Sequence, residues 1–369
     1  MACPTVPPLP SRRRVSLAAL IMSAALFAAC GDDDDSATDG VVGSASTSAG
    51  SAATSPGARD GTAGGPTAAA FPVTVAHEHG ETEVVAAPER IVTLGYSDQD
   101  FVLAFGVAPI AVTHWYGDDE HGTWEWAQDE LGDAEPVVLN QGAFTGTAAY
   151  NYEQIAGLDP DLIIALYTDM SAEQYDTLTA IAPTIAPSGE YPEFGMPWQE
   201  TTRTVGLALG QPERAEALIA EVDAQLADAA AAHPEFEGLE VVVAELFEPG
   251  SSFARSATDP RTTLMTSLGF VLPDEIAELA GDLDGAPISD EQMALLDRDL
   301  LLWNVGHDPE LRAQIEAKPL YDQLEVVQAG HSVFIEDPLV SGALTWGTVL
   351  SLPYAIDELV PMIADALAG

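Results

Sequence analysis

The sequence predicts an α/β fold: two α/β lobes with central parallel sheets, joined by one long helix. Three observations carry this. Short runs that are apolar at every position recur between helical segments, as expected of parallel strands covered on both faces. The alternation resumes after Phe236, so there are two such units of similar size. Between them lies a single helical stripe, Ala215, Leu218, Val222, Leu226 and Ala229, which starts after Pro212 and stops before Pro234.

Taken in order, Val73–Val75 and Thr82–Val85, joined through Gly80, form a hairpin. Arg90–Leu94, Pro109–Thr113 and Asp161–Leu166 are strands, with short helices at Asp98–Phe105 and Tyr152–Leu158. These make an N-terminal lobe over 71–210. The linking helix, 211–233, spans roughly 31 Å at 1.5 Å per residue, a rigid spine rather than a hinge. In the C-terminal lobe, 234–369, Glu240–Ala244 and Leu300–Val305 are strands, and Thr262–Leu268 and Asp290–Leu296 are helices.

Ahead of the lobes, Arg12, Arg13 and Arg14 precede an uncharged apolar run, Val15 to Ala29. That run is shorter than the ~20 residues of a membrane span and has the form of the core of a signal peptide, which spans 1–29. It ends in Leu26-Phe27-Ala28-Ala29-Cys30, which resembles a bacterial lipobox, with Phe27 where Leu is commoner. The resemblance implies lipidation of Cys30 by two acyl chains, enough for stable anchoring. The plainer alternative is an ordinary secretory signal beside a chance Cys. The other cysteine, Cys3, falls in the segment to be removed, so no internal disulfide is expected. From 30 to 70 the chain is acidic, then rich in Ser, Gly, Ala and Thr. Such a composition cannot bury enough apolar surface to order itself, and predicts a flexible tether with a reach of roughly 35 Å.

The chain carries 12 basic and 59 acidic residues, a net charge of −47. Nucleic acid is excluded as a partner, because its phosphates would be repelled. Adhesion to anionic lipid through the protein surface is disfavoured for the same reason. Lys318 is the sole lysine.

Several segments resemble, in order and spacing, a class III (helical-backbone) periplasmic substrate-binding protein of ABC importers, of the iron–siderophore group. They are Thr74-Val75-Ala76-His77 with Gly80 and Thr82; Ala87-Pro88-Glu89-Arg90-Ile91-Val92-Thr93-Leu94-Gly95; Phe105 to Val112; Asn151-Tyr152-Glu153-Gln154-Ile155; Asp159 to Ile164; and Leu178 to Thr184. The resemblance implies a ligand cleft between the lobes, no catalysis, and delivery to a membrane permease. It also implies that Glu153 and Glu291 dock on that permease; each is otherwise a solvated charge at a helix start. No protein-bound cofactor is expected, ferric iron being carried within the siderophore. The protein is expected to be an extracytoplasmic monomer, held on the outer face of the cell membrane by its lipid.

Ligands of open α/β sheets gather at the carboxyl ends of strands. Tyr96, Trp115, Tyr116 and Tyr167 follow strands of the first lobe. Arg255, with Phe253, follows a strand of the second; Trp303 lies within one, and Trp346 opens the final helix. Aromatic rings with an arginine suit a bulky, partly apolar, anionic chelate. Each has packing within a lobe as its alternative, Trp303 and Trp346 most of all. Arg90 reads as a structural ion pair. Other ligands in view are cobalamin, haem or a free transition metal, the last with His114 as its best-placed ligand. An exported carboxylate-based hydrolase is a further alternative, although no Gly-x-Ser-x-Gly or His-Glu-x-x-His motif occurs.

Overall fold

The computed structural model describes residues 71–117, 120–139, 150–248 and 250–369. The expected signal segment, Cys30 and the tether lie outside the described residues.

Strands β1 (Val73–His77) and β2 (Gly80–Val84) pair antiparallel, and only alternate side chains are buried, so the hairpin covers the lobe with one face. The N-lobe sheet comprises β3 (Ile91–Thr93), β4 (Ala111–Thr113), β5 (Val137–Leu139), β6 (Leu162–Ile164) and β7 (Thr184–Ile185), in the order β5-β4-β3-β6-β7 with every pair parallel. Helices α1 (Asp98–Ala104), α2 (Gln128–Leu131), α3 (Tyr152–Gly157), α4 (Ala172–Thr179) and α5 (Trp198–Ala208) surround it. The central strands β3, β4 and β6 are buried at every position, as their uninterrupted apolar sequences require.

The spine helix α6 (Pro212–Ala232) begins with Pro at its first position and buries Ala215, Leu218, Ile219, Val222 and Leu226. The C-lobe sheet comprises β8 (Val241–Glu248), β9 (Ser251–Arg255), β10 (Gly285–Ser289), β11 (Leu300–Asn304) and β12 (Ser332–Ile335), in the order β10-β9-β8-β11-β12. Its centre, β8-β11-β12, is parallel, and the tight β8–β9 connection adds β9 antiparallel. Around it lie α7 (Pro260–Ser267), α8 (Asp274–Ala280), α9 (Leu311–Glu316), α10 (Glu325–Gln328), α11 (Pro338–Trp346) and α12 (Ser351–Ala368). Asp290–Leu296 is a 3₁₀ helix rather than an α-helix.

Side chains alternate between two faces of each sheet. Ile91, Leu162 and Ile164 of the N-lobe and Val241, Val243, Leu300 and Leu302 of the C-lobe share one hydrophobic core with α6 and α12. The opposite faces pack within their own lobes, Val92 and Ile163 in one, Val242, Leu301 and Trp303 in the other. The lobes are thus joined by a continuous core rather than by a linker alone.

Two local expectations are corrected. Trp346 closes α11 instead of opening the final helix, because Gly347 takes the left-handed conformation (φ 55°) that ends it. A side chain there would meet Pro260 Cβ at 2.4 Å, which also demands glycine. Arg90 forms no ion pair among the described residues: its guanidinium donates to the carbonyls of Leu158 and Asp159, while Asp161 accepts the backbone N–H groups of Glu89 and Arg90.

Candidate ligand-binding site

A cavity of about 1340 Å³ lies between the lobes, lined from both sides. Its N-lobe wall is aromatic, because β3, β4 and β6 end together and each passes into a loop bearing rings. Tyr96 stacks on Trp115 at 5.3 Å, Trp115 meets Tyr116 edge-on at 5.1 Å, and Tyr167 meets Phe194 at 5.1 Å. Trp124 extends the wall beyond Tyr116 at 5.6 Å. Burial pushes the Tyr116 hydroxyl up to about 12, so it stays protonated and able to donate.

One carboxylate holds this wall in place. Asp98 is fully buried and accepts backbone N–H groups from Gly95 (3.0 Å), Leu166 (2.8 Å) and Tyr167 (3.1 Å). It therefore clamps the ends of β3 and β6, from which Tyr96 and Tyr167 project. Gly95 makes the clamp feasible, since a Cβ there would lie 2.2 Å from the Asp98 carboxylate. Burial raises the Asp98 carboxyl to about 6 despite these three bonds, which act to lower it.

The C-lobe wall is polar and charged. Glu245 on β8, Arg255 on β9, Asp259 at the N-cap of α7 and Arg261 in its first turn are each at most 6% exposed. Arg255 donates to Glu245 through Nε (2.5 Å) and through a second nitrogen, and lies 3.3 Å from Asp284. Arg261 is bonded to Asp259 at 2.7 Å and lies 3.6 Å from Glu245. Asn304 donates to both Glu245 (3.1 Å) and Thr345 (2.9 Å). Burial acts to raise the Glu245 carboxyl, but the Arg261 and Arg255 guanidiniums outweigh it and hold the group below its ordinary range. The same cluster keeps Arg261 charged, Asp259 and Glu245 overcoming the penalty of burial.

Beneath the cavity the two walls meet. Trp124 packs against Gly342 of α11, where an added Cβ would approach the indole to 2.9 Å. Trp346 lies against Trp115 (6.1 Å), Trp124 (6.2 Å) and Trp126 (5.9 Å), so it sits one layer behind the lining rings. The cavity surface itself is formed by Tyr96, Trp115, Tyr116, Tyr167, Phe253 and Arg255 among the residues named from sequence. Trp303 is a correction: it is fully buried in the outer C-lobe core beside Phe334, away from the cavity. Its neighbour Asn304 points to the other face, because successive residues of a strand do. Arg255 does line the cavity, with its guanidinium bound to Glu245.

Sequence reasoning overlooked Glu245, Asp259, Arg261, Phe194, Trp124 and His307, all on the cavity wall. The available signals were a Glu closing the apolar run Val241-Val242-Val243-Ala244 and the Asp-Pro helix start at Asp259-Pro260. Glu153 and Glu291 are both exposed, in the first turns of α3 and of the Asp290–Leu296 helix. Among the described residues no group of three or more His, Cys, Asp or Glu could hold a metal ion. His114 Nε2 donates to Gly117 O at 2.9 Å, within its own loop.

Comparison with known proteins agrees with this architecture. The family model described as periplasmic binding protein matches residues 91–339. The ferric-anguibactin-binding protein FatB of Vibrio anguillarum is 24% identical over 304 residues, covering 78% of this chain and 87% of FatB. A crystal structure of a periplasmic solute binding protein from Mycobacterium smegmatis is 31% identical, with TM-score 0.71, covering 80% of this chain and 99% of that one. PiaA of Streptococcus pneumoniae, crystallised with ferrichrome, is 23% identical with TM-score 0.69, over 80% of this chain and 99% of PiaA. The chain belongs to the periplasmic binding protein family, with two α/β lobes on a helical backbone, and is a binding protein rather than an enzyme.

Proposed function

We propose that the protein is the receptor of an ABC importer, capturing a ferric siderophore between its lobes and delivering it to a permease. The observation that carries this reading is the inter-lobe cavity of about 1340 Å³, aromatic on one wall and hydrogen-bonding on the other. Pockets for small-molecule ligands run to roughly 300–1,000 Å³, so the space suits a bulky chelate better than a bare ion. Rings at Tyr96, Trp115 and Tyr167 would cover the apolar faces of such a ligand, and Tyr116 would donate to its oxygens. FatB is named for binding a ferric chelate and PiaA was solved with one, which supports the same ligand class. Iron would remain coordinated by the chelator.

Delivery rests on Glu153 and Glu291, exposed on separate lobes. Two carboxylates facing cationic pockets would fix the orientation of the complex and speed association. Anchoring through Cys30 would keep the receptor near its permease and raise its effective concentration there. The decisive experiment is a titration of tryptophan fluorescence with ferric siderophores, cobalamin, haem, and ferric and zinc salts. Saturable quenching by ferric chelates alone is expected, because Trp115 and Trp124 line the cavity. Quenching by cobalamin, haem or a bare metal, with no response to any ferric chelate, would replace this reading with one of those.

A further inference from the structure

Six carboxylates and two guanidiniums line the cavity. The buried part of this charge cancels internally: Arg255 is held by Glu245, and Arg261 by Asp259. Apart from His307, the titratable groups that face the opening are acidic. Glu125, Glu193, Asp284 and Asp337 line the cavity and are exposed. Of these only Asp284 lies near a cation, 3.3 Å from an Arg255 already bound to Glu245. Glu125, Glu193 and Asp337 take part in no ion pair among the described residues. Asp337 also accepts the N–H groups of Leu339 and Val340 at the start of α11. The sole lysine, Lys318, is outside the lining and bonded to Asp290.

Resting on the siderophore reading above, we propose that the cleft selects ferric chelates that carry a cationic group and no net negative charge. Glu125, Glu193, Asp284 and Asp337 are the recognising anions. This reverses the anionic chelate expected from sequence, where Arg255 stood as a cation in an acidic background. A trianionic chelate entering here meets Glu125, Glu193 and Asp337, which have no ion-pair partner among the described residues, and no free guanidinium behind them to repay the repulsion. An ammonium group gains at the same mouth, and the chain's net charge of −47 draws such a ligand in.

The test is a fluorescence titration of the full chain with three probes. These are ferrioxamine B, a trihydroxamate chelate with a free ammonium; the same chelate N-acetylated and so uncharged; and a trianionic ferric tricatecholate. The ammonium form is expected to bind about fivefold tighter than the acetylated one, the upper end of what one exposed ion pair contributes. The tricatecholate is expected to bind weakest. Raising the salt concentration should narrow the first gap, as should the exposed-site double variant Glu193→Gln with Asp284→Asn. Equal or tighter binding of the acetylated or the trianionic chelate overturns the charge inference and leaves siderophore capture standing. Silence from all three overturns both.

Discussion

Thr348 Oγ1 donates to Asp100 Oδ2 at 2.7 Å, tying the turn between α11 and α12 to the first helix of the opposite lobe. Trp126 Nε1 donates to the same oxygen at 2.9 Å, while Asp100 Oδ1 has no partner among the described residues. Asp100 is fully buried, so desolvation raises its carboxyl to about 7 although both bonds act to lower it. This contact sits just below the cavity, where Trp124 and Trp346 also bring the lobes together.

A pH dependence follows from that burial. Because the folded value lies above the ordinary 3.8, the folded state holds a proton that the unfolded chain has released. The stability this contributes is complete below about pH 4 and is lost as pH rises through about 7. Asp100→Asn, neutral at all pH and still able to accept both bonds, should flatten the stability profile across that window. At about pH 8 it should gain on the order of 1–3 kcal/mol over the parent. Urea unfolding at several pH values measures it, and parallel profiles for the two proteins would show that Asp100 titrates normally.

The buried Glu245–Arg255 pair should behave asymmetrically. Glu245→Gln or Arg255→Ala leaves a charge without its partner in a site no more than 6% exposed, and should cost about 3–5 kcal/mol. Replacing both with Met should cost much less, since no orphaned charge remains. A double variant as unstable as the sum of the singles contradicts this account; denaturant melts decide.

Trp115 and Trp303 should separate binding from folding. Trp115→Ala removes a partly exposed ring from the cavity wall and is expected to weaken chelate binding by about tenfold or more, as for a hot-spot aromatic. Trp303→Ala empties a fully buried site and should cost about 3–5 kcal/mol of stability with dissociation constants little changed. Thermal melts and fluorescence titrations, run on both variants, check the split.

Gly95→Ala should disturb the clamp on the cleft. The new methyl would stand 2.2 Å from the Asp98 carboxylate, so the loop carrying Tyr96 must shift. Loss of chelate affinity together with a lowered melting temperature is expected. Unchanged binding in a folded variant would mean that Tyr96 does not depend on this turn.

Delivery should fail independently of capture. Glu153→Ala and Glu291→Ala are exposed, so chelate affinity and stability should hold within about 0.5 kcal/mol. Uptake of labelled ferric chelate by cells carrying the double variant should fall steeply. Wild-type uptake would remove these two residues from the docking surface.

The two lobes, the spine helix and the strand ends bearing Tyr96, Trp115, Tyr116 and Tyr167 were all legible in the sequence. Each rests on a local signal: an apolar run with no polar break, a helical stripe beginning at Pro212, a loop following a strand. Such patterns are set by which residues must leave water, and that is decided within a few positions of chain. Trp303 shows where local signals stop. A strand presents its residues alternately to two faces, and nothing in Leu300-Leu301-Leu302-Trp303-Asn304 says which face meets the other lobe. The structure turns Asn304 toward Glu245 and leaves Trp303 in the outer core.

The charge of the cleft was likewise settled only by tertiary structure. Sequence alone predicts an arginine, Arg255, at a strand end in a very acidic chain, which reads as a cation waiting for an anion. Folding brings Glu245 from the neighbouring strand against it and Asp259 against Arg261, from residues that carry no mark of being partners. Buried charges must be paired to persist away from water. Once they are paired, the acids at the rim decide what the cavity attracts. Chain chemistry determined that there would be two α/β lobes with aromatic strand ends; long-range pairing determined the electrostatic character of the space between them.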